Sequence, residues 1–305
     1  MPAARIRRTT SVLSVLALGA LPTHATAETT AQPAVTTAYD DNATVHRIVL
    51  QGAVNVRDLG GYRTDKGRQV RYGEVFRSDA LGKLTEADVS TLAALDLRTV
   101  VDFRVPLEVQ RDGADRLPAG AAVTSRPVDD LGLYATTMAV IGSRDPVRQQ
   151  ELLGDGRAEE LMRSIYRTFV TSPDSRAQFA ATLRDLADKR SPLLYHCTSG
   201  KDRTGWLSYL LLRALGVPET TATGDYLLSN DFRAAADLRT REGLKQAGLM
   251  QNPDLLIPLQ EVREDYLDAA LDQAERDYGS LDGYLTEGLG LDTSTLARLR
   301  ARLLK

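Results

Sequence analysis

Ten residues in the second half of the chain, positions 196–205, constrain its fold more than any other stretch. A short apolar run at 193–195 precedes them, and an almost wholly apolar segment at 206–215 follows. The first run is typical of a buried strand, and the second of a buried helix that Gly216 ends. In a strand–loop–helix unit the loop amides and first helical N–H groups lack internal partners, and the helix dipole favours negative charge. The sequence therefore predicts an anion site in this loop.

The loop also carries residues that suit chemistry on an anion. Cys197 opens it and Arg203 follows six positions later, which is the Cys-x5-Arg spacing of cysteine-dependent phosphatases. The loop amides favour a thiolate, the nucleophilic form of cysteine, and the arginine fork can hold two phosphate oxygens. We expect Lys201 as a second cation at the rim and Asp202 as a carboxylate near the leaving group. The other expected phosphate contacts come from Thr198, Ser199, Gly200 and Thr204.

Two simpler interpretations of this loop are weaker. A lone cysteine beside a core strand is usually an inert, buried hydrophobe, but that does not explain why Gly, Lys, Asp, Arg and Thr follow Cys197 together. A nucleotide-binding loop would need glycine where Tyr195 stands and serine or threonine where Asp202 stands. The loop therefore predicts a catalytic thiol.

The loop resembles the signature His-Cys-x-x-Gly-Lys-Asp-Arg-Thr-Gly of the bacterial atypical protein tyrosine phosphatases, and every fixed position matches. Further segments are similar to that family at 55–62, 76–81, 101–104, 266–270 and 278–291. The resemblance spans about residues 45–305, which we predict to be one phosphatase domain. It implies an α/β fold with a central, mostly parallel sheet flanked by helices, a helical lid insertion at about 131–170 and a helical C-terminal part.

The N-terminus predicts export. Three arginines at positions 5, 7 and 8 precede an apolar run at 12–21, and residues 25–27 fit a signal-peptidase site. We therefore predict a cleaved signal peptide at 1–27, a flexible leader at 28–44 and a secreted, extracellular protein. The apolar run is too short for a stable membrane span. An uncleaved signal anchor is the alternative, and the choice between the general and twin-arginine export routes stays open.

Composition limits the partners and the cofactors. The formal charge is −3, and removal of the three signal-peptide arginines makes it −6, which argues against nucleic acid as the main partner. Cys197 is the only cysteine, so no intramolecular disulfide forms and stability must come from core burial. Only His46 and His196 lie beyond the predicted signal peptide, and no His/Cys/Asp group has metal-ligand spacing. We predict no metal and no cofactor.

Upstream carboxylates are further site candidates. The predicted strand at 99–104 ends in Asp102 and Arg104, which suggests a site edge of an open α/β sheet, with a structural Asp–Arg pair as the equal alternative. A second strand at 123–128 leads into Asp129 and Asp130. The family resemblance makes these two general-acid candidates by their order, because the wider superfamily carries its acid on a mobile loop before the nucleophile strand. Arg57 is expected either to pin its loop or to contact the site.

The remaining pattern predicts local elements. Strands are expected at 48–50 and 192–195, a hairpin over 62–76, and a loop at 131–156. Thr85 and Asp88 form a capping box at the start of a helix that ends near residue 94. Pro106 is expected to close the strand before it. Further helices are predicted at 157–170, 173–189, 219–228, 230–246, 258–278, 281–288 and 293–304.

Together these features predict two-step phosphoryl transfer through a cysteinyl-phosphate on Cys197, with Asp202 as the first choice of general acid and Asp129, Asp130 and Asp102 after it. The resemblance implies phosphotyrosine substrates, and also phosphoserine, phosphothreonine or phosphoinositides. Lys201 keeps a phosphoinositide or inositol phosphate phosphatase as the alternative. A phospho-binding module without turnover is a third interpretation, although its usual mark, loss of the Cys or Arg, is absent. The oligomeric state is not predicted.

Overall fold

A computed structural model describes residues 45–305, so the predicted signal peptide and leader lie outside the described residues. Its strands form one six-stranded sheet in the order β1-β2-β3-β6-β4-β5. The strands are β1 (His46–Arg47), β2 (Arg57–Asp58), β3 (Val75–Ser78), β4 (Thr99–Asp102), β5 (Ala122–Ser125) and β6 (Leu193–His196).

The sheet confirms the predicted α/β class with mostly parallel strands. Strands β3, β6, β4 and β5 run parallel, and the two-residue strands β1 and β2 are antiparallel at one edge. Ser78 and Asp102 pair in register with His196, the last residue of β6. The carboxyl ends of three neighbouring strands therefore meet at the residue before Cys197, which is where open α/β sheets place their sites.

Helices cover the sheet. They are α1 (Glu86–Ala93), α2 (Pro106–Asp112), α3 (Leu133–Ser143), α4 (Pro146–Leu153), α5 (Arg157–Thr171), α6 (Pro173–Asp188), α7 (Arg203–Leu215), α8 (Glu219–Gln246), α9 (Ile257–Gln260), α10 (Glu264–Tyr278), α11 (Leu281–Gly283) and α12 (Thr293–Leu303). The capping box predicted for α1 is present. Helix α7 ends at Gly216 in the left-handed conformation, as the sequence predicts.

Helix α7 lies at the centre of the main core. All its residues except Arg213 are buried, and α5, α6, α10 and α12 contribute to the same cluster. Strand β6 separates two clusters, because Leu193 and Tyr195 face the main core and Leu194 faces a smaller one. The site loop is thus held between two buried elements. Within residues 45–305, no helix is both long enough and apolar enough to cross a bilayer.

The structure corrects several predicted elements. The first strand of the described residues is β1, before the predicted 48–50. The predicted hairpin over 62–76 is present only at its turn, where backbone bonds join Tyr62 to Val70 and Thr64 to Arg68, and residues 75–78 form β3 instead. The predicted loop at 131–156 contains α3 and α4. Residues 219–246 form the single helix α8, whereas 258–278 is divided between α9 and α10. Pro106 starts α2 as well as following β4, because proline is favoured at the first helical position, where its missing N–H is not needed.

The predicted lid insertion at 131–170 contains two kinds of element. Helix α5 buries Met162, Ile165, Tyr166, Phe169 and Val170 in the main core, which argues against a lid role for this helix. Helices α3 and α4 pack in a separate small cluster. A lid role for α3 and α4 stays a prediction.

Candidate active site

The predicted anion loop joins β6 to α7 over residues 197–202 and passes close to the end of β3. Gly200 has a φ of +65°, and a Cβ at this position would lie 2.3 Å from the Ser78 carbonyl oxygen. Any larger residue would meet both the backbone restriction and this clash, so the glycine lets the loop pack against β3. Cys197, the first residue of the loop, is only 1% exposed.

The carbonyl groups of residues 198–200 all bond to groups outside the loop. The contacts are the Ala80 amide to Thr198 O at 3.1 Å, Asn55 Nδ2 to Ser199 O at 3.2 Å and to Gly200 O at 3.0 Å, Arg77 Nη2 to Gly200 O at 2.8 Å, and Arg233 Nη1 to Ser199 O at 3.2 Å. In a trans peptide the C=O and the following N–H point in opposite directions. The N–H groups of residues 199–201 therefore point away from these donors, which is the orientation that the predicted anion site requires.

A buried ion cluster supports the loop. Asp225 accepts from Arg57 Nε at 2.8 Å and from Arg77 Nη1 at 2.6 Å, and all three side chains are at most 1% exposed. Burial alone would raise the pKa of Asp225, but the two arginine charges lower it to about 2. Arg57 thus attaches its loop to Asp225 on α8, which is one of its two predicted roles. Two guanidinium groups against one carboxylate leave a net positive charge beside the predicted anion loop, which favours a bound anion.

Arg203 is oriented by Glu108, a residue that the sequence did not single out. Arg203 Nη1 donates to Glu108 Oε2 at 2.7 Å, and Arg203 Nη2 donates to Glu108 Oε1 at 2.6 Å. Arg203 Nη1 also donates to the Phe103 carbonyl at 3.1 Å. Burial would raise the pKa of Glu108, but the bonds and charge of Arg203 lower it. The pKa of Arg203 is raised by the same pair despite its own burial. Both groups therefore stay ionised near neutral pH.

This pairing decides which donors of Arg203 remain for substrate. A guanidinium has five N–H groups, and Glu108 and Phe103 take three of them. Among residues 45–305, no acceptor is bonded to Nε–H or to the second N–H of Nη2. These two donors lie side by side on one edge of the guanidinium, which is the fork that matches two oxygens of a phosphate.

Thr198 and Thr204 have different surroundings. The Thr198 hydroxyl donates to Glu108, so this side chain supports the arginine clamp. The Thr204 hydroxyl is fully buried and has no hydrogen-bond partner in the described part of the chain. A buried hydroxyl next to the reactive loop is suited to bond a group that forms there during the reaction.

Asp102 and Arg104 belong to a hydrogen-bonded ion network that reaches His196, the residue before the loop. Arg104 Nη2 donates to Asp102 and Asp115, each at 2.9 Å, and Asp115 Oδ2 lies 2.8 Å from His196 Nε2. Burial opposes a charge on His196, but the Asp115 hydrogen bond and the two carboxylates raise its pKa. The Asp102, Asp115 and His196 ligand atoms lie within 4.8 Å of one another, as in a metal site, yet the Arg104 cation already pairs with both carboxylates. The geometry favours the structural interpretation of the Asp102–Arg104 pair.

Asp129 and Asp130 differ in burial and in partners. Asp129 is exposed and accepts from the Leu131 amide at 2.8 Å. Asp130 is buried, and its two oxygens accept from the amides of Gly132 and Tyr134, each at 3.0 Å, at the start of α3. Its charge contributes to the raised pKa of Arg203. Asp130 therefore lies near the site but is used as a helix-capping group.

Lys201 does not lie at an exposed rim, as we expected from the sequence. Its side chain is only 2% exposed, and Nζ donates to Asp202 Oδ1 at 2.8 Å and to the Glu261 carbonyl at 3.1 Å. The Glu261 carbonyl, which directly follows α9, therefore holds the Lys201 ammonium inside the protein. Asp202 is 15% exposed at the start of α7 and also accepts from the Tyr166 hydroxyl at 3.0 Å.

Comparison with known proteins places this site in a family. A sequence model of the tyrosine phosphatase family matches residues 48–305. The chain belongs to the tyrosine phosphatase family. It is a phosphoric monoester hydrolase of the protein-tyrosine-phosphatase type, which confirms the resemblance found in the loop.

Individual relatives cover most of the chain. A Cupriavidus necator protein named as a tyrosine-protein phosphatase is 33% identical over 251 residues, which are 82% of this chain and 87% of that protein. The triple specificity protein phosphatase PtpB of Mycobacterium tuberculosis is 31% identical over 276 residues, 84% of this chain and 98% of that protein. A crystal structure of Pseudomonas aeruginosa TpbA is 18% identical in sequence; the match covers 59% of this chain and 89% of that one, with a TM-score of 0.27.

We expect Glu108→Gln to lower kcat/KM because the neutral amide releases one edge of Arg203 and lets the guanidinium turn away from the phosphate. A misplaced catalytic group costs roughly 10- to 100-fold in rate. Steady-state kinetics on p-nitrophenyl phosphate measure this, with Glu275→Gln, an exposed position on α10, as the matched control. An unchanged kcat/KM in Glu108→Gln would show that Arg203 does not depend on this carboxylate.

Proposed function

We propose that this protein is a secreted phosphatase that hydrolyses phosphotyrosine through a cysteinyl-phosphate intermediate, with Asp202 as the general acid. The proposal is supported by the two Arg203 donors that remain unbonded in the described residues, and by a loop that begins with Cys197 and whose carbonyls are held by donors outside it. Donors already aligned on a developing phosphoryl charge stabilise the transition state without reorganisation.

The proposed reaction has two steps. In the first, the Cys197 thiolate attacks phosphorus, the bond from phosphorus to the leaving oxygen breaks, and protonated Asp202 gives its proton to that oxygen. In the second, the Asp202 carboxylate takes a proton from water, whose oxygen attacks phosphorus, and the P–S bond breaks. Inorganic phosphate leaves, and the thiolate and the protonated acid are restored.

Two observations bear on the substrate. The Cys197 thiol is nearly fully buried, so a phosphate must be presented on an arm long enough to reach it, and a tyrosine ring provides a longer arm than a serine side chain. The Lys201 charge, on which the phosphoinositide alternative depends, is already paired with Asp202. Both favour phosphotyrosine. Phosphoserine, phosphothreonine and phosphoinositides remain secondary candidates, because PtpB, a relative, is named for triple specificity.

Phosphate release by the purified mature protein and by Cys197→Ser tests the thiol mechanism and the substrate class. Each protein is given a phosphotyrosine peptide, a phosphoserine peptide and a monophosphoinositide. We expect phosphate release to be fastest from phosphotyrosine and to vanish in Cys197→Ser, which should still bind the peptide. Release fastest from the inositide would favour the alternative. Tight binding without turnover in the wild-type protein would indicate a phospho-binding module.

We expect Asp202→Asn to lower kcat about 100-fold or more on phenyl phosphate, whose leaving group needs a proton, and much less on p-nitrophenyl phosphate. Asn keeps the shape of the side chain and an oxygen for its neighbours. Asp130→Asn is the comparison, because the charge of this candidate acts on Arg203. Equal losses on the two substrates in Asp202→Asn would remove this residue from the acid role, and an unequal loss in Asp130→Asn would transfer the role there.

Secretion is supported by the sequence at 1–27, where arginines, an apolar run and a small-residue cleavage site occur in order. Expression of the full chain in a bacterial host that exports it, followed by N-terminal sequencing, tests this. We expect a chain that begins at Glu28 in the extracellular fraction. A chain retained in cells with its first 27 residues would contradict the proposal.

A further inference from the structure

We infer that Tyr166 is a positioning residue for Asp202, holding the carboxyl group so that one chosen oxygen exchanges the proton. This inference rests on the proposed acid role of Asp202. Tyr166 lies on α5, about thirty residues before the reactive loop, and belongs to the segment that the sequence predicts as a lid.

Two donors converge on the same oxygen of Asp202. The Tyr166 hydroxyl and Lys201 Nζ donate to Asp202 Oδ1 at 3.0 and 2.8 Å. In the part of the chain that the structure describes, Asp202 Oδ2 has no hydrogen-bonded partner. Because Oδ1 is fixed from two directions, the rotation of the carboxyl group is set, and Oδ2 is the oxygen left for the leaving group and then for water.

Tyr166 is itself immobilised. Its side chain is fully buried, and its ring packs against Phe169, Tyr226 and Tyr266 with centroid distances of 5.1, 6.2 and 6.1 Å. Its hydroxyl oxygen lies 2.8 Å from that of Tyr226, whose hydroxyl also reaches the Arg263 carbonyl at 3.3 Å. A donor held by a packed core keeps its geometry better than the long side chain of Lys201.

The hydrogen bond between Tyr166 and Asp202 has a fixed direction. Burial and the charge of Asp202 raise the pKa of Tyr166 well above its usual value, and burial does the same for Tyr226. Both phenols stay protonated at physiological pH. Since each has a single O–H, Tyr166 donates to Asp202 while Tyr226 supplies its proton to the Tyr166 oxygen or to Arg263. With either acceptor for Tyr226, the single O–H of Tyr166 is left for Asp202 Oδ1.

This arrangement differs from that of a general acid on a mobile loop. Asp202 is attached to the start of α7, and its partner Tyr166 belongs to the main core. The carboxyl group is therefore oriented before substrate arrives, and no loop closure is needed to bring it in.

Tyr166→Phe tests this inference through the ratio of kcat on p-nitrophenyl phosphate to kcat on phenyl phosphate. Only phenyl phosphate needs the proton, and we expect the ratio to rise roughly tenfold, part of the hundredfold or more that a general acid contributes. Both values scale alike with the amount of folded enzyme, so the ratio is independent of folding yield. Tyr284→Phe is the matched control, because its buried hydroxyl donates to the Phe169 carbonyl of α5 instead of Asp202.

A second comparison separates positioning from a general structural effect. In the Asp202→Asn background, adding Tyr166→Phe should leave the ratio unchanged, since there is no acid left to position. An unchanged ratio in Tyr166→Phe alone, or a further rise in the double variant, would overturn the inference. If Asp202→Asn itself leaves the ratio at the wild-type value, the acid role fails and the inference falls with it. If Asp202→Asn raises the ratio and Tyr166→Phe does not, only the positioning role fails.

Discussion

The outward orientation of three peptide carbonyls, at Thr198, Ser199 and Gly200, is the constraint on which the rest of the site depends. Each is held by donors from distant parts of the chain, among them Asn55 and Arg77. Planar peptides then direct the following amides away from these donors, which is the orientation that the predicted anion site requires. A loop without these donors would have carbonyl dipoles free to turn toward the phosphate and repel it. The upstream segments of the chain serve to prevent this.

Charged groups around the loop are paired before any substrate is present, and each pairing orients an arginine side chain. Asp225 holds Arg57 and Arg77 while leaving a net positive charge near the loop. Glu108 takes one edge of Arg203 and leaves the other edge for phosphate. Such preorganisation lowers the cost of reorienting dipoles during the reaction. The acidic residues Asp225 and Glu108 thus orient the arginines of a site that is proposed to bind an anion.

The same arrangement links the site to the core. The helix that follows the loop, α7, is buried almost completely, and α5 packs in the same cluster while contacting Asp202 through Tyr166. Core packing and the geometry of Asp202, the proposed acid, are therefore set by the same helices. Substitutions that shift α5 against α7 should change catalysis as well as stability, because a packed interior transmits displacement.

The sequence by itself determined the reactive loop, because Cys197, Arg203 and the flanking apolar runs are local features with a fixed spacing. Local signals also determined the capped start of α1 and the end of α7 at Gly216, while the class of sheet followed from the resemblance of several motifs to a known family. Only the tertiary structure decided the partners: Glu108 reaches Arg203 from 95 positions away, and Tyr166 reaches Asp202 from 36. The inward position of Lys201 and the structural pairing of Asp102 with Arg104 were decided in the same way. Contacts between residues so far apart leave no periodic or spacing signal in one sequence, since they arise when the sheet brings separate strand ends to one edge.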